Sequence, residues 1–266
     1  MNMPVVTIII ANHNYEKYIC DAIDSAINQI YPKNRLRIVV IDDCSTDNSW
    51  QIVYKKYFQS HTHESNGIGI PTKTVVLPNG VTLIATKMDK SVGPSEARNI
   101  AITMTRQSTD IYAILDADDV YYPNKVLKCV QKVMEAPDVI GVVYGDYDIY
   151  NVETGNTVRE YKEPFDKIRL FDECIVHSGA IITKVALEHV FEPTGFYDKN
   201  LRCAEDYDLW LRISDKFMIV HIPESLSMVR VHNNNSTNSV QKEIWQQCWT
   251  RVREKLIKRH NEPTSI

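Results

Sequence analysis

Val5 to Ile10 is an unbroken β-branched run, followed by the polar cluster Asn12-His13-Asn14 and then by a helix-period segment. In that segment Ile19, Ala22, Ile23, Ala26, Ile27 and Ile30 fall on one face, and Pro32 closes it. The unit of strand, loop and helix repeats at once. Leu36 to Ile41 is a second buried strand, Asp42 to Asn48 a loop, and Trp50 to Phe58 a helix with Ile52, Val53, Tyr57 and Phe58 on its apolar side. Strands and helices alternating at this length predict a right-handed, mostly parallel sheet with helices on both faces. In such sheets ligands bind outside the carboxyl ends of the strands.

Thr74 to Leu77 and Val81 to Thr86 flank Pro78-Asn79-Gly80, the signal of a hairpin, here an insertion that ends in the next sheet strand. Gly93-Pro94 then opens a helix through Ala101 and Met104. A strand ending in Asp116-Ala117-Asp118 follows, and Pro123 opens another helix, with Val126, Leu127, Val130 and Val133. Strands are predicted at Val139 to Tyr144, Tyr147 to Tyr150 and Ser178 to Thr183, with a return at Val158, and a short helix at Lys184 to Val190. A helix with acidic residues in its first turn runs from Cys203 to Ile213. Strand-like Met218 to His221 and Leu226 to Val231 precede a polar loop, His232 to Ser239, and an amphipathic helix from Gln241 to about Arg259. With no repeat and no low-complexity linker, residues 1–240 are expected to form one domain around a shared cleft, its halves 4–136 and 137–240, with 241–266 as terminal helix and tail.

Composition adds exclusions. At 266 residues, 44% apolar and 24% charged, the chain is an ordinary globule, and its net charge of −4 argues against a chain-wide nucleic-acid footprint. The charge is uneven, because Arg251 to His260 carries five basic residues and one acidic one. Cys20, Cys44, Cys129, Cys174, Cys203 and Cys248 are scattered without a C-x-x-C pair, as expected for reduced thiols in the cytoplasm. No signal peptide is visible, no apolar run approaches the roughly 20 residues that span a bilayer, and Asn235-Ser236-Thr237 is read as a chance glycosylation triplet. The terminal helix places Trp245, Trp249 and Val252 on one side, with Cys248 and Leu256 beside them. That face suits docking on the body, a homodimer seam, or peripheral contact with a membrane.

The densest chemistry is Ile111 to Asp119, IYAILDADD. A strand buried on both faces must end where its polar groups reach water or a ligand, and here it ends in Asp116, Asp118 and Asp119. Crowded carboxylates repel one another, so a hard divalent cation or a donor-rich ligand would settle them.

Five stretches in order, Thr7-Ile8-Ile9-Ile10, Val40 to Asp47, Ala97-Arg98-Asn99, Asp116 to Asp119 and Glu205 to Trp210, make the chain resemble the inverting family 2 glycosyltransferases of the GT-A fold over about residues 4 to 232. The resemblance implies a Rossmann-like α/β core with a nucleotide-sugar-binding half at 4–136 and an acceptor-binding half at 137–240. Cys44 stands where the family usually has glycine, so a slightly different turn is expected there, and the hairpin is an insertion. The Q-x-x-R-W signature of processive synthases is absent, which implies addition of one sugar.

By this resemblance Asp42 and Asp43 contact the base or ribose of the donor, with ordering of the Ser45-Thr46-Asp47 turn as the plainer role for Asp43. Asn12 to Tyr15, including His13 and Asn14, forms a nucleotide-side loop; Asn14 also suits a helix cap. Arg98 and Asn99 flank the donor site, although Arg98 equally suits an ion pair with the aspartates. Asp116 accepts a ribose hydroxyl, and Asp118 holds Mn²⁺ or Mg²⁺. Asp206 is the expected general base, ahead of Glu205 and Asp208, all three also being suited to satisfying a helix N-terminus. His232 is a candidate for metal or phosphate contact, and the polar loop around it for a lid.

The expected activity is metal-assisted, inverting transfer of one sugar from a nucleotide-diphospho-sugar, UDP-sugar first and dTDP- or GDP-sugars after it. The acceptor is a hydroxyl of a glycan, glycolipid or glycoconjugate. Competing classes are a non-catalytic scaffold on the same fold and a transferase acting on nucleic acid. A nucleotidyltransferase would need a glycine-rich loop after the first strand, where this chain has Ala11 to Tyr15.

Overall fold

The computed structural model describes residues 3–59, 63–65, 69–233, 235 and 240–261. In chain order the strands are β1 (Val6–Asn12), β2 (Leu36–Asp42), β3 (His63–Ser65), β4 (Thr72–Val76), β5 (Thr82–Lys87), β6 (Ile111–Ile114), β7 (Val120–Tyr121), β8 (Ile140–Asn151), β9 (Thr157–Glu160), β10 (Ile181–Thr183) and β11 (Met218–Val231). The helices are α1 (Ile19–Ile27), α2 (Ser49–Val53), α3 (Pro94–Thr105), α4 (Lys125–Glu135), α5 (Lys167–Asp172), α6 (Lys184–His189), α7 (Glu205–Ser214) and α8 (Lys242–Asn261).

All strands join one sheet in the order β3-β4-β5-β2-β1-β6-β10-β8-β11-β7, with β9 paired to β8. The expected parallel core is β5-β2-β1-β6, and antiparallel strands extend it on both flanks. Val6 to Ile10 is fully buried because both faces of β1 are covered. Ile8 and Ile10 pack with Ile19, Ile23, Val126 and Val130 on one face, and Ile9 with Ala97, Ala101, Leu209 and Trp210 on the other. A helix-period stripe on α4 and a β-branched run in β1 therefore complete the same core.

Several boundaries differ from the periodicity reading. The strands expected at Val139 to Tyr144 and Tyr147 to Tyr150 are one strand, β8, and those at Met218 to His221 and Leu226 to Val231 are one strand, β11. The two run side by side, and register shifts between Ile222 and Ser225 and between Ser225 and Met228 absorb Pro223 as a bulge. Gly145 is needed opposite that bulge, since a Cβ there would lie 2.6 Å from Leu226 Cδ1. The strand expected from Ser178 begins only at Ile181. Helix α1 stops at Ile27, leaving Ile30 exposed, because the Gln29 amide instead bonds the Tyr122 carbonyl and accepts the Val126 N–H. The short β3, β7 and α5 have too few residues to show a period.

The hydrophobic side of α8 docks on the body, the first of its three expected roles. Val252 and Cys248 are buried, and the Trp249 ring lies 4.6 Å from that of Tyr207 on α7. Some of its basic residues turn inward too, while Arg253 and Lys258 stay exposed: Lys255 Nζ lies 2.9 Å from both Asp208 and Glu192 and 3.1 Å from Asp198, and Arg251 reaches Asp198 at 3.3 Å. No helix among the described residues is long and apolar enough to cross a membrane. Of the loop expected as a lid, 234 and 236–239 lie outside the described residues, as do 262–266 of the tail and most of the Asn235-Ser236-Thr237 triplet.

Candidate active site

The loops after β1 and β2 are stitched together by their own polar side chains. Asn12 Nδ2 donates to Asp42 Oδ2 at 2.8 Å and to Ser45 Oγ at 3.1 Å, and Asp42 Oδ1 accepts the Ser45 N–H at 3.0 Å. Asn14 takes a left-handed φ of 62°, which asparagine tolerates, and its Oδ1 accepts the Thr46 and Asp47 N–H groups at 2.8 and 3.3 Å. It does not cap the following helix, whose N-cap is Tyr18. Cys44 also sits left-handed, at φ 58°, so it takes the conformation that favours glycine rather than a different turn.

Asp43 does something other than order the turn beside it, which is the work of Asp42. Its carboxylate accepts Ser91 Oγ–H at 2.8 Å and the Val92 and Gly93 N–H groups at 2.6 and 2.9 Å. Bonds to a charged acceptor contribute about 1.5–3 kcal/mol each, so Asp43 fixes the glycine turn, Gly93 at φ 84°, from which α3 starts.

From the first turns of α3, Arg98 reaches across to the end of β6. Its guanidinium donates to Asp116 Oδ1 at 2.9 Å and to Glu205 Oε1 at 2.5 Å, 5.4 Å from the Tyr197 ring centre. The opposed carboxylates outweigh burial and hold this arginine firmly charged. Asp116 Oδ2 accepts Ser178 Oγ–H at 3.1 Å. Asn99 faces elsewhere: its amide donates to the Tyr197 carbonyl and accepts the Tyr197 N–H, both at 2.9 Å. Asn99 thus latches α3 to the 195–197 loop.

Asp118 points toward the loop after β11. Its Oδ2 lies 3.2 Å from His232 Nε2 and accepts from Asn235 Nδ2 at 2.9 Å. The His232 ring stacks on Tyr18, centres 4.8 Å apart, with the Tyr15 ring edge-on. Asp119 turns the other way and accepts the Arg230 N–H at 3.0 Å, while the Arg230 guanidinium bonds the Asp118 carbonyl and Asp21. Burial first, and then the charge of Asp116, raise the carboxyls of Asp118 and Asp119. No three His, Cys, Asp or Glu side chains form a metal cage among the described residues. One carboxylate and one imidazole suit an ion that keeps most of its coordination for phosphate oxygens and water, as Mg²⁺ and Mn²⁺ do.

The third wall is the start of α7. Ala204 precedes it with φ 58°, a strained left-handed conformation for a residue with a Cβ, and this sets the direction in which Glu205 and Asp206 leave the backbone. Glu205 is held by Arg98, and Asp208 is buried between Arg212 and Lys255 at 2.9 Å each. Asp206 pairs with no cation among the described residues and accepts only the Tyr207 N–H. Burial and the neighbouring Glu205 push its carboxyl up to about 7, against the opposing pull of Arg98. A carboxyl so placed is poised to exchange a proton near neutral pH. Trp210 and Leu209 are wholly buried.

Sequence reasoning missed Arg230, Tyr18, Ser178 and Asn235 at this site. Arg230 had a signal, for residues two apart on a strand share a face, and Arg230 and His232 flank Val231 at the end of β11.

The sequence matches the model of the family described as Glycosyl transferase family 2 over residues 7–191. An uncharacterised glycosyltransferase of Rickettsia typhi is 27% identical over 265 residues, 96% of this chain and 73% of that protein. The O-antigen biosynthesis glycosyltransferase WbnJ of Escherichia coli is 28% identical over 89% of this chain and 84% of its own. Among solved structures, S. aureus TarS 1-349 in complex with UDP aligns with TM-score 0.63 and 18% identity, covering 97% of this chain and 72% of that one. The mannosyltransferase PcManGT of Pyrobaculum calidifontis, in complex with GDP-Man and Mn²⁺, aligns with TM-score 0.67 and 20% identity over 97% and 65%. The fold is thus that of GT-A glycosyltransferases, and with its family motifs matched from the first strand to beyond the aspartate cluster, the chain is a glycosyltransferase belonging to glycosyl transferase family 2.

Proposed function

We propose that the protein transfers one sugar, with inversion, from a nucleotide-diphospho-sugar to a hydroxyl of a glycan, glycolipid or glycoconjugate, with UDP-sugar the first donor to consider. The observation that carries this is Asp206: a carboxyl raised to about 7, free of cationic partners among the described residues, and joined through Glu205 and Arg98 to the strand end at Asp116. Support also comes from relatives, one named for O-antigen biosynthesis, and from neighbours holding UDP or GDP-Man. Residues 4–136 would hold the donor and 137–240 the acceptor, in a cytoplasmic enzyme whose six cysteines are free thiols.

In this reading Asn12, Asn14, Asp42 and Asp43 shape the loops around the nucleoside, leaving unused carboxylate lone pairs for uracil and ribose. Asp116 offers Oδ2 to a ribose hydroxyl in exchange for Ser178. Arg98 ties Asp116 to Glu205, and Asn99 keeps α3 in place beneath them. Asp118 and His232 would hold Mn²⁺ or Mg²⁺, which supplies Lewis acidity to the leaving diphosphate. Asp206 takes the proton of the acceptor hydroxyl as its oxygen attacks the anomeric carbon opposite the diphosphate, and releases it to solvent afterwards.

The test is donor hydrolysis across UDP-, dTDP- and GDP-sugars with Mn²⁺, Mg²⁺ or EDTA, following nucleoside diphosphate release in the wild type and in Asp118→Ala. Metal-dependent release from one donor, lost in the variant, is the expected result. No release together with no donor binding by calorimetry would overturn the proposal in favour of a scaffold.

A further inference from the structure

Beside the transfer site lies a set of basic groups that the chemistry above does not use. Lys125, at the first turn of α4, is 4% exposed, and its ammonium lies 3.9 Å from the centre of the Tyr121 ring. Among the described residues this ammonium makes no hydrogen bond and forms an ion pair with no carboxylate. The acids nearest to it are engaged elsewhere, Asp119 by the Arg230 N–H and Asp116 by Arg98 and Ser178. Burial pulls Lys125 down to about 8, which still leaves it charged at neutral pH. A buried ammonium that faces a ring and no oxygen acceptor favours an anion that would supply those bonds.

The groups around it extend the same feature. The His177 ring tilts onto Tyr147, centres 4.3 Å apart, and its Nδ1 accepts the Gly179 N–H at 3.1 Å, which leaves the proton of the neutral ring on Nε2. Lys162 Nζ stands 5.6 Å from the centre of the Tyr147 ring, and its one carboxylate neighbour, Glu160, is 3.9 Å away. Burial, with Lys125 adding to it against the opposing pull of Asp116, keeps His177 neutral, its pKa near 3, and the hydroxyl of Tyr121, the ring under Lys125, donates to the Gly179 carbonyl of the same turn at 3.5 Å. Ser178, the residue after His177, donates to Asp116 Oδ2 at 3.1 Å, and Asp116 is joined through Arg98 and Glu205 to the start of α7, which sets the group beside the general base. Two ammonium groups and an imidazole N–H thus stand about the Tyr121 and Tyr147 rings, and Lys125 forms an ion pair with no carboxylate among the described residues.

We propose that this set of groups is an oxyanion subsite: Lys125 and Lys162, with His177 Nε2–H, take a carboxylate or phosphate carried by the substrate next to the reacting bond, while the Tyr147–His177 pair lies under its sugar ring. The proposal rests on the transferase reading for its place beside Asp206, and it adds that the enzyme selects a charged substrate. The oxyanion belongs either to the transferred sugar, as in a uronic acid, or to the acceptor, as in a sugar phosphate.

Two binding series by calorimetry on the full chain distinguish these sources. The donor arm compares UDP-glucuronate with UDP-glucose in the presence of Mn²⁺. The acceptor arm titrates glucose 6-phosphate and glucose into protein saturated with UDP and Mn²⁺. The expected result is a preference of about 10- to 100-fold for the charged member of one arm, the range of one or two charged hydrogen bonds, falling to near parity in Lys125→Met and in the more exposed Lys162→Gln. Equal binding of charged and neutral members in both arms, or a preference that survives both variants, would overturn it. UDP binding without a sugar is the control, because its absence would count against the transferase reading, and the anionic probes could still be titrated into the protein alone.

Discussion

In its proposed role Asp206 couples catalysis to stability through one carboxyl. Its pKa near 7 in the folded chain, against 3.8 in an ordinary environment, means that the folded state holds the proton more tightly than the unfolded state. Between those values the unfolded chain binds fewer protons, so stability falls as pH rises from about 4 to 7 and levels off above. Activity needs the ionised form and should rise over the upper part of that window, with an inflection of kcat/KM near pH 7. Asp206→Asn mimics the protonated carboxyl and should lower kcat by about 10²- to 10⁴-fold. The same variant should unfold at a higher temperature than the wild type at pH 8, with the difference gone at pH 4; thermal melts at both pH values check this. Arg98 opposes the shift, so Arg98→Met should move the pH inflection upward and also leave Glu205 and Asp116 unpaired, a loss of about 3–5 kcal/mol when a buried pair is broken. At this scale the sequence showed residue types well and partners poorly. Asp116, Asp118 and Asp206 stood out by crowding and by place along the chain. That Asp43 would be bonded by Ser91, Val92 and Gly93, and Asn99 by Tyr197, depends on contacts between segments some 50 and 98 residues apart, which no local pattern encodes.

Among the elements, α8 has the least expected connection to the site. It packs on α7, and Lys255 joins it to Asp208, fully buried two residues beyond the proposed general base. Lys255→Met should break the joint of Glu192, Asp198 and Asp208, costing about 3 kcal/mol, or roughly 10 °C in melting temperature for a chain of this size. A looser α7 should lower kcat while the affinity for nucleotide, proposed to sit at the loops after β1 and β2, stays within about twofold. Calorimetric UDP binding beside steady-state rates separates the two effects. Equal losses in both would show that α8 supports the whole fold rather than α7. The amphipathic pattern gave away the helix and its apolar side but not this joint, because the basic residues read from sequence as a solvated or membrane-facing surface. Only the facing acids, from residues 192 to 215, explain why some of them turn inward.

On the scale of the whole molecule, the parallel core was legible because its strands are buried on both faces and its helices carry a clean period, and both signals are local. The flank beyond β10 was read in pieces: β8 and β11 are long parallel neighbours broken in sequence by Gly145 and Pro223, and only their pairing across a bulge makes each continuous. What the core does for function is to bring the carboxyl ends of β1, β2 and β6 to one rim, while the bodies of β1 and β2 stay shielded in two apolar layers. Amide exchange should show this division. Amides within β1, β2 and β6 should open only with global unfolding, and those of the rim loops at 12–16, 43–48 and 88–93 by smaller local motions. UDP with Mn²⁺ should then slow exchange in those loops, at 116–119 and at 230–233, by linkage to the bound state, and leave α6 and the 152–156 turn unchanged. Protection spread evenly over the chain would instead mean that the nucleotide acts on global stability, and protection confined to α8 or the β3–β4 hairpin would place it at another site altogether.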